Sequence, residues 1–260
     1  MRLYFIASGS SGNATLLQHN NLTILIDAGI SFKKISDAFI LKNMSILSIT
    51  HVLLTHEHID HVRGLNTLFN NINVPLFLSK GTAQALKQYS APKYEANMKY
   101  IEAHVPFQIG DIKITPIPLS HDALEPVGFI FETKTEKIGY ITDTGYIREG
   151  LIEPLKNCDL YYFEANHDPV LLKNSRRPYH TIHRILTEKG HLSNEDSAYY
   201  LAQMIGPNTK KIVMAHISNE CNTIEKIKHT YEDVFLAHHL SLSNYEVIYT
   251  SQIPSEVIDV

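Results

Sequence analysis

Apolar residues in the first half of the chain fall in short runs closed by Gly, Asn, Asp or Ser, which is the pattern of β-strands. Such runs cover Leu3 to Ala7, Thr15 to Gln18, Thr23 to Ile26, His51 to Leu54 and Pro75 to Leu78. Between them, Ser31 to Leu41 sets Phe32, Ile35, Ala38 and Phe39 at helical spacing, and Thr82 to Tyr89 reads as a second helix. The second half repeats the arrangement. Strands are predicted at Ile112 to Leu119, Val127 to Thr133, Lys137 to Thr142, Leu160 to Glu164 and Lys211 to Ala215, and helices at Ile147 to Lys156 and Asn194 to Ile205. Runs of strands with helices interspersed are neither strict βαβ alternation nor an all-β chain. They predict a mixed α/β (α+β) fold in which two mixed sheets pack together with helices outside. No low-complexity stretch or Pro/Ser linker divides the 260 residues, so one domain over 1–260 is expected.

Composition narrows the function. A hydrophobic content of 44% supports a real core. With 23 basic against 27 acidic side chains and a net charge of −4, the chain is not a strongly basic polyanion binder. Any nucleic-acid contact must be a local patch. Cys158 and Cys221 are far apart and form neither a paired metal motif nor a disulfide framework, which fits a reducing compartment. The first residues lack a long apolar leader core, and no run approaches the roughly 18 apolar residues of a membrane span. A cytoplasmic protein without membrane contact is expected.

The chemistry concentrates in Thr55-His56-Glu57-His58-Ile59-Asp60-His61, directly after the apolar run His51 to Leu54. Neutral imidazole and carboxylate hold Zn²⁺-like ions at roughly 2.0–2.2 Å, and a strand end followed by a turn brings such groups to one point. A zincin helix would space its histidines as His-x-x-x-His. His56 and His58 are instead two apart, on one side of an extended chain, and Asp60 with His61 faces a second position. Later strands end on further ligands: His121 after Lys113 to Leu119, Asp143 after Gly139 to Thr142, and His216 after Ile212 to Ala215. Asp143 has two oxygens and can bridge. The expected centre binds two divalent ions, one on His56, His58, His121 and Asp143, the other on Asp60, His61, Asp143 and His216. Histidine and carboxylate without thiolate suit Zn²⁺ or Mn²⁺, and also Fe.

This order of residues, with Asp27 in Ile26-Asp27-Ala28-Gly29 ahead of it, resembles the metallo-β-lactamase superfamily. The resemblance implies an αββα sandwich with the site where the two sheets open at one edge. Asp143, standing where the antibiotic-destroying enzymes carry Cys, argues against lactamase activity. Three further segments, Ser8 to Asn13, Glu164 to Asp168 and Gly190 to Asp196, resemble the YycJ/WalJ family. That likeness implies 5′-to-3′ exonuclease action on double-stranded DNA. More distantly, Glu164 and His191 match a Glu and a His of the RNase Z enzymes that assist phosphodiester cleavage.

Roles follow from these comparisons and from chemistry. Two ions lower the pKa of a shared water, hold it for in-line attack and neutralise phosphate charge. Asp60 is expected to orient that water or take its proton. His191, kept charged by Glu164, would stabilise the transition state or protonate the leaving oxygen. Ser193 and Asp196 also form an approximate capping box, so His191 can serve to set that loop as well. Asp27 is expected behind the ligands, fixing a loop or an imidazole. Ser10 and Asn13 lie in a Gly/Ser loop able to approach phosphate. Arg176 and Arg177, near Arg184, are candidates for gripping a nucleic-acid backbone. The roles of His167 and Asp168 stay open. Rival readings are a thioesterase of the glyoxalase II type, a small cyclic-phosphodiester hydrolase, and an inactive metal-binding regulatory protein.

Overall fold

The predicted apolar runs become strands whose alternate side chains feed two different cores. The computed structural model describes residues 1–87 and 93–260, so the end of the predicted Thr82–Tyr89 helix lies outside the described residues. Among the described residues, fourteen strands form two seven-stranded sheets. The first contains β1 (Arg2–Ala7), β2 (Ala14–His19), β3 (Leu22–Ile26), β4 (His51–Leu53), β5 (Leu76–Ser79) and β6 (Met98–Ile101), in that spatial order. The second contains β7 (Phe107–Ile109), β8 (Ile112–Pro118), β9 (Val127–Glu132), β10 (Lys137–Ile141), β11 (Leu160–Glu164), β12 (Lys211–Ala215) and β13 (Glu246–Tyr249). A last strand, β14 (Val257–Asp259), returns to pair with β1 at the edge of the first sheet.

Both sheets change from antiparallel to parallel part-way across. In the first, β1 to β3 are antiparallel and β3 to β6 parallel. In the second, β7 to β10 are antiparallel and β10 to β13 parallel. Parallel strands end together, so the loops after β3 and β4, and those after β10, β11 and β12, gather at common sheet edges.

Leu3, Phe5, Leu17, Ile24 and Ile26 of the first sheet pack against Ile114, Phe129, Phe131, Tyr140, Tyr162 and Val213 of the second. The intervening residues Tyr4, Ile6, Leu16 and Leu25 face outward onto Ile35, Ala38 and Phe39 of the helix Phe32–Leu41. On the far side, Tyr161, Phe163, Ile212 and Met214 meet the helices Glu149–Leu155, Asn194–Met204 and Ile224–Ala237. Strands buried on both faces read as continuous apolar runs instead of alternating ones. Helix starts follow side-chain caps: Ser31 accepts from Lys34 N, Ser193 from Asp196 N and Thr223 from Lys226 N. The result is the expected helix–sheet–sheet–helix sandwich. No helix among the described residues is long and apolar enough to cross a membrane.

Four strands and one long helix are absent from the pattern reading. The strands are β6, β7, β13 and β14, each the outermost of its sheet. The helix is Ile224–Ala237, although Ile227, Tyr231, Val234 and Phe235 have helical spacing behind a Thr cap.

Candidate metal centre

Strand ends build the site, and three of them do so through a left-handed backbone. Asp27 follows β3 with φ 60°, Asp143 follows β10 with φ 56°, and His216 follows β12 with φ 52°. Asp and His tolerate this region better than branched or bulky residues, and strain of this kind collects where a side chain must be aimed. The turn after β4 supplies His56, His58, Asp60 and His61. It is anchored by Gly29, where a Cβ would lie 1.6 Å from the Asp60 carbonyl oxygen, so only glycine admits that approach. The Asp60 carbonyl accepts from Asn13 N at 2.8 Å, locking the Gly/Ser loop to the metal motif.

Three overlapping groups of possible ligands result, the third being Asp143, Glu164, His191 and His216. His56, His58 and His121 bring one ring nitrogen each within 4.8 Å of one another, and Asp60, His61, Asp143 and His216 do the same with one ligand atom each. Asp143 faces both groups: its Oδ2 is 3.2 Å from His61 Nε2, and its Oδ1 is 3.5 Å from His216 Nε2 and 3.9 Å from His121 Nε2. The Nε2 atoms of His56 and His216 are buried with no hydrogen-bond partner among the described residues. An orphaned imidazole nitrogen in a ring of histidine and carboxylate is what a coordinated cation would satisfy, so the residues fit divalent metal binding.

The other ring nitrogens are held from behind. His61 Nδ1 donates to Asp27 Oδ2 at 2.8 Å, His216 Nδ1 to Glu164 Oε1 at 3.1 Å, and His121 Nδ1 to the Gly190 carbonyl at 3.0 Å. Thr55 Oγ1 donates to Asp27 Oδ2 and lies 3.0 Å from His56 Nδ1. Such contacts fix tautomer and ring direction. Asp27 thus holds the His61 ring and the Thr55 hydroxyl together; Thr55 is not among the sequence candidates. Its signal was its place beside the first motif histidine.

Charge is distributed unevenly. Burial and neighbouring imidazoles push His56 well below its usual pKa, and burial takes His121 to about 4. Burial would also lower His216, but the Asp143 charge and the facing Asp60 and Glu164 carboxylates raise it to about 10. His61 is likewise raised, against burial, by Asp27 and Asp143. Burial would raise Asp143, yet His216 and His61 hold it well below the carboxylate range.

Beside the second ligand set, His191 Nδ1 donates to the fully buried Glu164 at 2.7 Å and lies 3.7 Å from Asp143 Oδ1. Burial would raise the Glu164 pKa, but the His191 charge and hydrogen bond lead the effects that lower it. Glu164 Oε2 also accepts from Thr144 N at 2.8 Å. A cavity of about 200 Å³ over the centre is lined by Ser10, Asn166, Arg177, Thr181, Arg184 and His191 together with the ligands.

Among the substrate candidates, Ser10 and Arg177 line this cavity, whereas Asn13 is buried and contacts the His61 ring and Gly9. Arg176 is exposed and does not line it. Thr181 and Arg184, on the helix Tyr179–Ile185, do. Asp168 accepts from Val170 N and Leu171 N and caps the helix Pro169–Lys173. His167 is buried with neither ring nitrogen hydrogen-bonded among the described residues, and burial holds it at about 4, a neutral imidazole. Glu57, inside the metal motif, is turned away and accepts from Leu124 N at 2.7 Å.

A beta-lactamase superfamily domain profile matches residues 22–217. The structure superposes on the metallo-β-lactamase fold protein YhfI of Bacillus subtilis with TM-score 0.72 at 16% identity, covering 99% of this chain and 98% of that one. The chain belongs to the metallo-β-lactamase superfamily, with the fold of a metallo-hydrolase. Within it, the chain is 34% identical over 233 residues to the exodeoxyribonuclease YycJ of Bacillus anthracis, covering 86% of each. It is also 35% identical over 226 residues to the exodeoxyribonuclease WalJ of Streptococcus pneumoniae, covering 86% of this chain and 84% of that one. It is a member of the YycJ/WalJ family.

Proposed function

We propose that the chain is a metal-dependent exodeoxyribonuclease that hydrolyses phosphodiester bonds of double-stranded DNA from 5′ ends. A single observation carries this reading: the His191–Glu164 pair touches Asp143 at the rim of two adjoining ligand sets, under a cavity lined by Arg177 and Arg184. Two divalent ions, Zn²⁺ or Mn²⁺, would be held by His56, His58, His121 and Asp143, and by Asp60, His61, Asp143 and His216. When bound they supply an ionised water and offset phosphate charge.

The chain's own groups do the rest. Asp60 presents a carboxylate at the cavity floor, where it orients the attacking water or takes its proton. His191 is held as a donor by Glu164 and stands ready to protonate the leaving oxygen. Arg177 and Arg184 draw the backbone phosphates in, and the Ser10 loop borders their path. The chain acts as one domain in the cytoplasm, which the two free buried cysteines Cys158 and Cys221 support.

The test is incubation of metal-loaded protein with 5′- and 3′-end-labelled duplex DNA, with RNA and with a thioester. Duplex DNA is expected to shorten from its 5′ ends. His191→Gln is expected to lower kcat by about 10²–10⁴-fold while retaining metal. Hydrolysis of the thioester alone would refute the reading.

A further inference from the structure

Each imidazole of the centre needs one nitrogen for a cation and the other held in place. For His56, His61, His121 and His216 the holding group is Thr55, Asp27, the Gly190 carbonyl and Glu164, always at Nδ1. His58 breaks the pattern. Its Nδ1 is 3.2 Å from His121 Nε2, and its Nε2 has Asp122 Oδ1 at 3.7 Å, an electrostatic contact beyond hydrogen-bond distance; the same oxygen lies 3.4 Å from His121 Nε2, so the carboxylate sits between the two rings. The other oxygen of Asp122 lies 3.3 Å from Arg184 Nε. Arg184 lines both the cavity over the centre and a larger groove of about 600 Å³ beside it.

We propose that Asp122 is the positioning residue for His58, and that through it Arg184, a substrate contact, is tied to the imidazole-rich metal position. A carboxylate at Nε2 favours the Nε2–H tautomer, which leaves Nδ1 as the ligand atom. The guanidinium holds the far side of that carboxylate in turn. A backbone phosphate entering the cavity competes with Asp122 for Arg184. Substrate engagement and the grip on His58 are thereby joined. The Arg184 half rests on the nuclease reading above, and the Asp122 half does not.

Competition of the full chain against a chromophoric chelator for Zn²⁺, without any substrate, reads the Asp122 half directly. Asp122→Ala is expected to weaken one of two binding steps by roughly 10–100-fold and leave the other unchanged. Asp122→Asn, which keeps an oxygen for the Nε2–H, is expected to restore most of that loss. Asp122→Ser gives the same comparison should the alanine variant not fold. Wild-type binding by the alanine or serine variant would overturn the proposal. So would an asparagine variant as impaired as alanine, because Asp122 would then be a ligand itself. Arg184→Gln is expected to weaken the same Zn²⁺ step as Asp122→Ala, by a smaller factor, while raising KM for duplex DNA and flattening its log–log salt slope by about one. An unchanged KM and slope would break the link to substrate. A wild-type chain that binds Zn²⁺ but degrades no DNA would remove the nuclease reading while the Zn²⁺ titrations still decide the role of Asp122.

Discussion

His56 and His121 are backed by a hydroxyl and a backbone carbonyl, and His58 has only the surface carboxylate of Asp122 3.7 Å from its Nε2, whereas His61 and His216 are backed by the buried carboxylates Asp27 and Glu164. The consequence is electrostatic. In the first group burial dominates, so His56 and His121 are held neutral and ready to ligate. In the second, carboxylates outweigh burial and the imidazoles hold protons. One position is thus a neutral nest of nitrogen ligands. The other is an anionic cluster whose protons stand in for part of the cation's charge and must leave when it binds.

The largest expected effect comes from the residue that faces both groups. Asp143→Ala removes the carboxylate facing His61, His216 and His121. Nuclease activity is expected to fall to background and elemental analysis to show loss from both positions. Retention of one full equivalent of metal would mean that Asp143 serves only the anionic cluster.

Asp27→Asn acts chiefly on that cluster. It weakens the support of His61 and disturbs the two hydrogen bonds from Thr55. Metal affinity at one position is expected to drop by about 10–100-fold, with activity recovered in excess metal. Equal weakening of both positions would deny the division.

Protons distinguish the halves most directly. His216, raised to about 10, is cationic at neutral pH in the absence of a bound ion, and His61 is raised as well. The His216 charge pair stabilises the metal-free chain fully below the unfolded imidazole pKa near 6.5, and this contribution is lost as pH rises through about 10. Metal binding to the anionic cluster should therefore release protons and strengthen as pH rises above 7. Binding to the neutral nest should do neither, since His121 at about 4 is already deprotonated. Titration calorimetry in buffers of different ionisation enthalpy reads this, and enthalpies independent of buffer at both steps would contradict the assignment.

What the sequence reveals follows the same physical lines. Central strands such as β3, β11 and β12 are buried on both faces, and their uninterrupted apolar runs are plain to see. The four strands it conceals are the sheet edges, three or four residues long and partly exposed, where little apolar burial writes a pattern. The candidate ligands are legible because each follows a readable strand. Their supports were not: the Gly190 carbonyl has no side-chain signature, and the approach of Thr55 to Asp27 or of Asp122 to His58 is created by tertiary packing. The choice between Arg176 and Arg177 was equally closed, since adjacent residues point to different faces.

Glu57 makes the smallest prediction and the sharpest use of the motif. It lies between His56 and His58, yet its carboxylate accepts from Leu124 N at 2.7 Å and faces Thr82 Oγ1 at 3.5 Å. The alternation that sends His56 and His58 inward sends the intervening side chain the other way, where it ties the loop carrying Leu124 to the motif. Glu57→Gln keeps an acceptor for Leu124 N and leaves every ligand in place. Both metal equivalents are expected to be retained, with stability lowered by no more than about 1 kcal/mol in chemical denaturation. Loss of a metal ion in this variant would place Glu57 in one of the two ligand groups and redraw the boundary between them.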